Sequence, residues 1–355
     1  MIGSYIKYGG ICSKVRVMYG KRLFIEDYNA LLNKPNIAEV VSYLKGHPGY
    51  SDILTNVDER LIHRGQLETI LSSTLTRDYK KLHDFSSDVD KKLFKTFMLR
   101  SEIEFIMVVL RNLKSKRAGS YINYSSYEVM GFSDEVIALS KATSFEEFLS
   151  LLEKTRYAGA LIKFNVTNLN ISYIENALII HFYTLLFKTI IKVYNAEDIK
   201  MLQWQIGTTI DVKNIVRIIR LKTYFPNVDI NEYMLPFGRR IKDKDKKELI
   251  DAPDTIEALK GISNYYYTRF LDLDLKRQDD YEDELIYEVD KSIMRMGQPS
   301  MAIPLAYLSL KSIEVHNLIH IIEGVRYSIP LEDIRRRLSG ITDSNETWGE
   351  NTSVS

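Results

Sequence analysis

The sequence has little cysteine, glycine or proline, and each shortage narrows the class of protein. Only one of 355 residues is a cysteine, Cys12, so no disulfide can form within the chain, which fits a reducing compartment. The 17 glycines and 8 prolines are few for this length. Because these two residues are the least compatible with helix interiors, the composition favours a mainly helical protein of two or three domains.

Neither sign of charge is in excess. The 48 lysines and arginines oppose 47 aspartates and glutamates, which leaves a formal net charge of +1. A nearly neutral chain argues against general nucleic-acid binding and against long-range attraction of an acidic substrate. Any charged binding surface must therefore be local.

A long uninterrupted apolar run is also missing. The longest such stretch, Ala177 to Ile191, is interrupted by His181 and Lys188 and falls short of the ~18–20 residues that a bilayer span needs. We therefore expect a buried helix here. The first residues of the chain alternate apolar and basic positions, a pattern that does not indicate a signal peptide.

The sequence motifs of common enzyme classes are absent as well. No glycine-rich phosphate loop ends in Lys-Ser or Lys-Thr, no G-x-G-x-x-G opens a helix, and neither G-x-S-x-G nor H-E-x-x-H occurs. The isolated doublet Gly9-Gly10 is interpreted as a turn. We assign no catalytic residue and expect no cofactor.

What the sequence does contain is an internal repeat of about a hundred residues, which is too long for the short solenoid repeats. The clearest copy lies within Leu305 to Leu338, where Glu314 precedes an apolar stripe at helical spacing. Asp211 and Glu102 begin the same arrangement earlier in the chain. We call these three residues the repeat acids and the helices that carry them the repeat helices.

The equivalent positions of the three copies agree closely. A leucine lies nine residues before each acid, at Leu93, Leu202 and Leu305. An asparagine follows the acid by three residues in the later two copies, whereas Phe105 replaces it in the first. The apolar stripes consist of Ile103, Ile106, Met107, Val109 and Leu110, of Val212, Ile215, Val216, Ile218 and Ile219, and of Val315, Leu318, Ile319, Ile321 and Ile322.

The repeat predicts an all-α protein with three similar helical-bundle domains in series, and no convincing pair of strands is present. A tyrosine recurs beyond the small helices of each unit, at Tyr50, at Tyr157 and within Tyr265 to Tyr267. We expect each apolar stripe to face the core of its own unit. The expected units are residues 1–125, 126–230 and 231–341, followed by a disordered polar tail at 342–355.

Two groups of residues are candidates for metal or ion sites. His316, His320 and Glu323 share one face of a helix and could bind zinc, although the equivalent positions in the other copies carry charges of either sign and favour a polar outer face. The three repeat acids could form a symmetric ion site. The alternatives for them are a place in the first turn of a helix or a pairing with a neighbouring unit.

The face of each repeat helix opposite its stripe is rich in basic residues. These side chains are either solvated helix ends or part of a contact with a partner. The partner-interface candidates are Arg111 and Lys114 in the first unit, Lys213, Arg217, Arg220 and Lys222 in the second, and Arg326, Arg335 and Arg336 in the third, where His316, His320 and Arg337 lie on or beside the same face.

Three segments of the chain resemble the C subunit of the archaeal and bacterial V-type ATP synthase, whose vacuolar counterpart is called the d subunit. The most specific is PLAYLSLKSIEVHNLIHIIEGVRYSIPLEDIRRRL near the C-terminus. The others are SKVRVMYGKRLFIEDYNALLNKPNIAEVVSYLKGHPGY near the N-terminus and DVKNIVRIIRLK in the middle. The resemblance covers about residues 5 to 340 and depends on pattern rather than on an invariant motif.

This resemblance implies three helical domains in a funnel with pseudo-threefold symmetry. It implies a non-catalytic adaptor on the cytoplasmic face of the membrane, seated on the rotor ring of proteolipid subunits and receiving the central shaft. The partners would be the shaft subunits and the ring, without nucleic acid, and the membrane would be reached only through the ring. A generic helical scaffold that binds a peptide or helix and a helical metalloenzyme using His316 and His320 remain the alternatives.

Overall fold

The computed structural model describes residues 2–115, 132–161, 171–263, 267 and 278–341. Throughout these ranges the regular structure is helical, which confirms the all-α prediction. The predicted tail at 342–355 lies outside the described residues, as does the predicted boundary near residue 125.

The helices follow the order of the repeat. The first part of the chain forms α1 (Ile2–Tyr19), α2 (Ile25–Leu32), α3 (Ile37–Gly46), α4 (Ser51–Leu54), α5 (Arg64–Phe85) and α6 (Asp88–Lys114). The middle part forms α7 (Asp134–Ala138), α8 (Phe145–Leu152), α9 (Ala158–Leu161), α10 (Ile171–Val193) and α11 (Ala196–Tyr224). The last part forms α12 (Asp243–Asp251), α13 (Thr255–Ser263), α14 (Gln278–Met294), α15 (Ala302–Arg326) and α16 (Leu331–Arg335).

Side-chain caps explain where several helices begin. Asn36 accepts a hydrogen bond from Glu39 N at 3.0 Å, and Ser144 accepts one from Glu147 N at 3.1 Å. Ser87 and Asn195 cap the repeat helices α6 and α11 in the same way. Each cap satisfies a backbone N–H that has no partner inside the helix.

The apolar stripes of α6, α11 and α15 are buried, as the helical spacing predicts. All positions of the stripe in α6 and in α11 are buried, and in α15 only Ile319 is partly exposed. Full burial of a Leu or Ile side chain contributes about 1.5–3 kcal/mol relative to exposure, so these stripes are a major source of stability.

The expectation that each stripe faces the core of its own unit is wrong. The α11 stripe packs against Ile241, Leu249 and Leu259, which follow it in the chain. The α6 stripe shares a core with the small helices α7 and α8. A helical period shows which side of a helix is buried, but it does not show which element covers that side.

The stripe of α15 packs against helices from the beginning of the chain. Val315, Leu318 and Ile322 of α15 share a core with Leu31 and Leu44 from the beginning of the chain. The N-terminal helices α2 to α5 therefore play for α15 the part that the following unit plays for α6 and α11. We call this contact between the two ends of the chain the closing interface.

The beginnings of the three repeat helices meet in one core. Leu93, Leu202 and Leu305, equivalent positions nine residues before the repeat acids, are fully or almost fully buried in the same hydrophobic cluster. Residues of α1 join them there, including Tyr8 and Cys12. The structure thus buries the beginnings of all three repeat helices in one hydrophobic core.

The structure contradicts one local prediction and supports another. Gly9-Gly10 is not a turn, because α1 continues through both residues. The helix α10 has 23 residues, more than the uninterrupted apolar run suggests, and by length and composition it could cross a membrane. Half of its apolar window is buried inside the protein, and α10 packs extensively against α6, as the prediction of a buried helix requires.

Candidate functional site

The three repeat acids are hydrogen-bonded to the three recurring tyrosines, each across a boundary between units. Tyr157 donates to Glu102 at 2.6 Å, and Tyr267 donates to Asp211 at 2.7 Å. The third acid is reached from the other end of the chain, where Tyr50 donates to Glu314 at 2.6 Å. We call each of these buried acid–tyrosine pairs a clasp.

Backbone N–H groups complete the clasps. Leu23 N donates to Glu314 at 2.8 Å, and Arg240 N donates to Asp211 at 2.7 Å. Both donors lie just before the first small helix of the unit that covers the stripe. A side chain at Gly238 would collide with the Asp211 carboxylate, so this loop requires glycine to approach the acid.

The pairing of the repeat acids with a neighbouring unit is therefore confirmed for all three. The alternatives are wrong, because the acids lie well inside their helices rather than in a first turn, and each is held by its own tyrosine. In the part of the chain that the structure describes, no group of three His, Cys, Asp or Glu side chains is placed to hold a metal ion.

Burial disfavours the charged form of two repeat acids, Glu102 and Asp211. It raises the pKa of Glu102 from its ordinary value, and the hydrogen bond from Tyr157 and the charge of Arg156 only partly offset it. Burial likewise raises the pKa of Asp211 against the opposing effect of its backbone and tyrosine donors. A hydrogen bond to the charged form favours ionisation, whereas removal from water disfavours it.

The clasp at the closing interface differs from the other two by a buried cation. Lys311 Nζ lies 2.6 Å from Glu314 Oε1 and donates to Tyr50 OH at 3.0 Å. Leu99 and Thr208 occupy the equivalent positions in the other repeat helices. The contact that joins the two ends of the chain is thus the only one of the three clasps with its own buried ion pair.

The residues three positions after the repeat acids, which are asparagines in two of the copies, form a second set of contacts. Asn214 exchanges two hydrogen bonds with the backbone of Leu235, at 2.8 and 2.9 Å. Asn317 does the same with the backbone of Ser339, at 2.9 Å for both bonds. Phe105, which replaces the asparagine, packs edge-on against Phe132 with ring centroids 5.8 Å apart. An apolar contact therefore takes the place of the amide in the first repeat.

Equivalent positions of all three repeat helices also line one cavity of about 80 Å³. Two residues before the repeat acids lie Arg100, Thr209 and Ser312, and two residues after them lie Glu104 and His316. A neighbouring cavity of about 320 Å³ shares Arg100 and Glu104 and is lined by three of the predicted interface residues as well. We call the set Arg100, Glu104, Thr209, Lys213, Ser312 and His316 the central polar face.

Two basic residues of the central polar face have acidic partners. His316 Nδ1 lies 3.5 Å from Asp283 Oδ2, and Lys213 is paired with Glu282. Burial alone would raise the pKa of Asp283, but His316, Lys213 and Arg100 outweigh it and the pKa is lowered. Both acids belong to α14, so α14 supplies the counter-charges for basic groups on the repeat helices.

Two of the three candidate zinc ligands, His316 and Glu323, have charged partners of their own. His316 is half exposed and faces Asp283, while Glu323 pairs with Arg64 of α5. Glu323 therefore contributes to the closing interface. His316 belongs to the central polar face, as the repeat pattern favours.

Several of the predicted interface residues make contacts within the chain. Arg217 donates to Asn176 Oδ1 and to Tyr233 O, both at 2.8 Å, and burial lowers its pKa. Lys222 donates to backbone carbonyl groups at the end of α12, at Leu249 and Ala252. Arg335 donates to Asn29 Oδ1 at 2.7 Å, across the closing interface.

The remaining candidates are more exposed. Arg111 lies 3.4 Å from Glu175 at the rim of the larger cavity. Lys114 and Arg220 are exposed near the C-terminal ends of α6 and α11. Arg326 is exposed beside the ring of Tyr327, and Arg336 and Arg337 are exposed beyond α16.

The sequence pattern marks both the acids and the tyrosines but does not show that they pair. A signal was present in the spacing, because Tyr157 follows Glu102 by 55 residues and Tyr267 follows Asp211 by 56. For the third pair the separation is 264 residues, since the chain must first return to its beginning. Tyr50 reaches Glu314 because α15 buries its stripe on the N-terminal helices.

Comparison with known proteins points to one family. The family described as ATP synthase (C/AC39) subunit matches residues 11–337. A protein of Methanothermobacter thermautotrophicus, named as the C subunit of an A-type ATP synthase, is 25% identical over 327 residues, which cover 86% of this chain and 80% of the relative. Proteins with the same name from Archaeoglobus fulgidus and Methanococcoides burtonii are 24% and 27% identical, and their matches cover 95% of this chain and 97% and 95% of the relatives. The chain therefore belongs to the family of ATP synthase (C/AC39) subunits.

Proposed function

We propose that this protein is a non-catalytic adaptor in the central stalk of a V-type ATPase or ATP synthase. In this role it is seated on the membrane rotor ring of proteolipid subunits and receives the end of the central shaft. It would couple ATP hydrolysis or synthesis to the transport of protons or sodium ions. Its place would be the cytoplasmic side of the membrane, reached only through the ring.

The observation that carries the proposal is the cavity lined by equivalent positions of all three repeat helices. Arg100, Thr209 and Ser312 reach the same space from three different repeats. Such convergence is what three units in a funnel around a common axis would produce. A pseudo-threefold funnel is therefore the arrangement that we propose for the three repeats.

The closing interface supports an adaptor over an open scaffold. An open array of repeats leaves the first and last units without mutual contact. Here α15 instead buries its stripe on the N-terminal helices, and the Glu314–Tyr50 clasp and the Arg64–Glu323 pair join the two ends of the chain. A closed molecule transmits torque without relative slippage of its terminal units, which suits a rotor part.

The surface for the shaft would include the central polar face and the exposed basic residues around it. Arg111 lies at its rim, and Arg220 is exposed near the end of α11. Charged groups at the rim of an interface mainly set association rate and register, and salt weakens them. Arg217 is less suitable for a test, because its internal hydrogen bonds would be lost together with any partner contact.

The test is recovery of the native complex. A tagged full-length chain is isolated from solubilised membranes of its host, and the associated proteins are identified by mass spectrometry. Shaft subunits and proteolipid should be recovered together with the chain. Recovery of the chain without either of them would contradict the proposal.

Charge reversal then locates the contact. The variant with Arg111→Glu and Arg220→Glu should bind the shaft or the ring more weakly, with a larger loss at low salt than at high salt. Lys244→Glu is the matched control, because Lys244 is exposed on α12, which covers the stripe side of α11. Equal affinities of the two variants at every salt concentration would remove these arginines from the contact.

A further inference from the structure

A cavity of about 130 Å³ at the closing interface has no part in the function proposed above. It lies between the end of α1, α5, α14 and α15, so residues from both ends of the chain line it. Five cationic residues line this space: Lys21, which is exposed, and Arg22, Arg77, Lys81 and Lys311. No other described cavity has so many.

The positive charge of this cavity is only partly neutralised. Three carboxylates line it, and they pair with three of the cations: Arg77 with Asp52 at 2.8 Å, Lys81 with Asp78 at 3.8 Å, and Lys311 with Glu314 at 2.6 Å. Lys21 and Arg22 make no ion pair with any described residue. The lining therefore has two more cationic than anionic groups, which matches the charge of a dianion.

Arg22 is held in place without a carboxylate. Its guanidinium carbon lies 4.2 Å from the ring centroids of both Tyr19 and Phe24. Its Nη1 also donates to Tyr19 O at 3.1 Å. Two aromatic faces and a carbonyl group thus orient the guanidinium, and among the described residues Tyr19 O is its one hydrogen-bond acceptor. An oriented cation loses little side-chain entropy when an anion binds.

Tyrosine hydroxyl groups add neutral donors. Tyr19, Tyr28 and Tyr287 line the cavity, and within the described chain none of their hydroxyl groups donates a hydrogen bond. Tyr28 OH only accepts one, from Asn317 Nδ2 at 3.4 Å. Hydroxyl donors beside two cations that have no carboxylate partner form a surface that suits an anion with several oxygen atoms.

We propose that this cavity binds a phosphate-sized oxyanion, with Arg22 and Lys21 as its charged ligands and the tyrosine hydroxyl groups as additional donors. The anion would be either free phosphate or the terminal phosphate group of a nucleotide. Because both ends of the chain line the cavity, its occupation stabilises the closing interface. The proposal concerns the isolated chain and does not depend on the adaptor function.

The experiment measures the melting temperature of the purified full-length chain with inorganic phosphate or with chloride at equal ionic strength. Phosphate at about ten times its dissociation constant should raise the melting temperature by about 2 °C or more beyond chloride. ATP is added in a third arm. A shift with phosphate alone identifies free phosphate as the ligand, and a larger shift with ATP identifies a nucleotide. Equal melting temperatures in all three arms would overturn the proposal.

Two variants and a matched control assign the site. Arg22→Ala should abolish the phosphate-dependent shift, and Lys21→Ala should reduce it. Arg240→Ala is the control, because Arg240 occupies the position of Arg22 before the first small helix of its unit but does not line this cavity. Arg240→Ala should keep the full shift. If Arg22→Ala does not fold, Lys21→Ala decides, and an undiminished shift in the folded variants places the anion elsewhere and contradicts the proposal.

Discussion

At the scale of single residues, the clasps explain why three acids can be buried in an apolar core. A buried carboxylate is tolerated when hydrogen bonds replace its lost water. Glu102 and Asp211 obtain these bonds from a tyrosine and from backbone N–H groups. Only Glu314 has a buried lysine as well, at the interface that joins the two ends of the chain.

The first residue-scale prediction concerns a clasp tyrosine. Tyr157→Phe should lower the free energy of unfolding by about 1–3 kcal/mol, because it leaves the buried Glu102 carboxylate short of a donor. Tyr43→Phe should cost less, since its bond to Asp27 is only partly buried. Chemical denaturation measures both. Equal losses in the two variants would show that burial of the acid is not what makes the clasp strong.

The second prediction concerns Asp290, an acid outside the clasps. It is almost fully buried, its hydrogen-bond partners Gln205 and Ser309 are neutral, and burial raises its pKa from 3.8 to about 7. Because the pKa is raised in the folded state, its contribution to stability is complete below pH 3.8 and is lost as the pH rises through about 7. This contribution can reach about 4 kcal/mol.

Asp290→Asn removes this titration. The decrease in unfolding free energy between about pH 5 and pH 8 should therefore be smaller in the variant than in the wild type. Asp251→Asn, which removes a carboxylate at an exposed position of α12, is the matched control. A variant profile parallel to that of the wild type would contradict the assignment to Asp290.

At the scale of helices, the sequence predicts the repeat helices well because their spacing records burial directly. The apolar stripes of α6, α11 and α15 exist because one side of each helix is buried by other helices. The spacing of the apolar residues identifies this side in the sequence. The covering element cannot be read in this way. It depends on how the chain returns in space, as the core shared by Leu31 and Leu318 shows.

For the basic side chains of the repeat helices, too, the sequence does not show which residues they contact. The spacing correctly places Lys213 and Arg217 away from the buried stripe, yet both are engaged within the protein, by Glu282 and by Tyr233. Glu282 lies in α14, and Tyr233 lies in the short 3-10 helix Ile230–Tyr233 after α11. No regularity of the repeat helix itself indicates them, so a charge pattern alone does not separate a partner contact from an internal one.

The element-scale prediction uses the stripes. Ile106→Ala, Ile215→Ala and Leu318→Ala should each lower the unfolding free energy by about 2–5 kcal/mol, because each leaves a cavity in a buried core. Ile319→Ala should cost less, since Ile319 is the partly exposed member of its stripe. Denaturant titrations compare the four variants. A tolerated Ala in one stripe would show that the equivalence of the repeats fails there.

At the scale of the whole molecule, the units predicted from the sequence repeat differ from the groups of helices that share a hydrophobic core. Each repeat helix lies in the last part of a predicted sequence unit. The stripes of α6 and α11 are buried on helices that follow them, and the stripe of α15 is buried on the beginning of the chain. The units 1–125, 126–230 and 231–341 therefore remain predictions about the repeat. Fragments that contain both an apolar stripe and the helices that pack on it are the better candidates for independent folding.

The last prediction compares fragments cut in these two ways. A fragment of residues 86–195 contains α6, the small helices that cover its stripe and α10, which packs extensively on α6. It should unfold cooperatively, whereas residues 1–125 should not, because there both the α6 stripe and the helices α2 to α5 lack their partners.

Residues 1–86 and 296–341, mixed as separate chains, should associate through the closing interface. Lys311→Ala should weaken that association, because it leaves Glu314 buried without its cation. Thermal unfolding followed by circular dichroism tests the first pair, and sedimentation tests the mixture. If residues 1–125 melt as sharply as residues 86–195 and the mixed fragments stay apart, the repeats fold as separate sequence units and the closing interface contributes little.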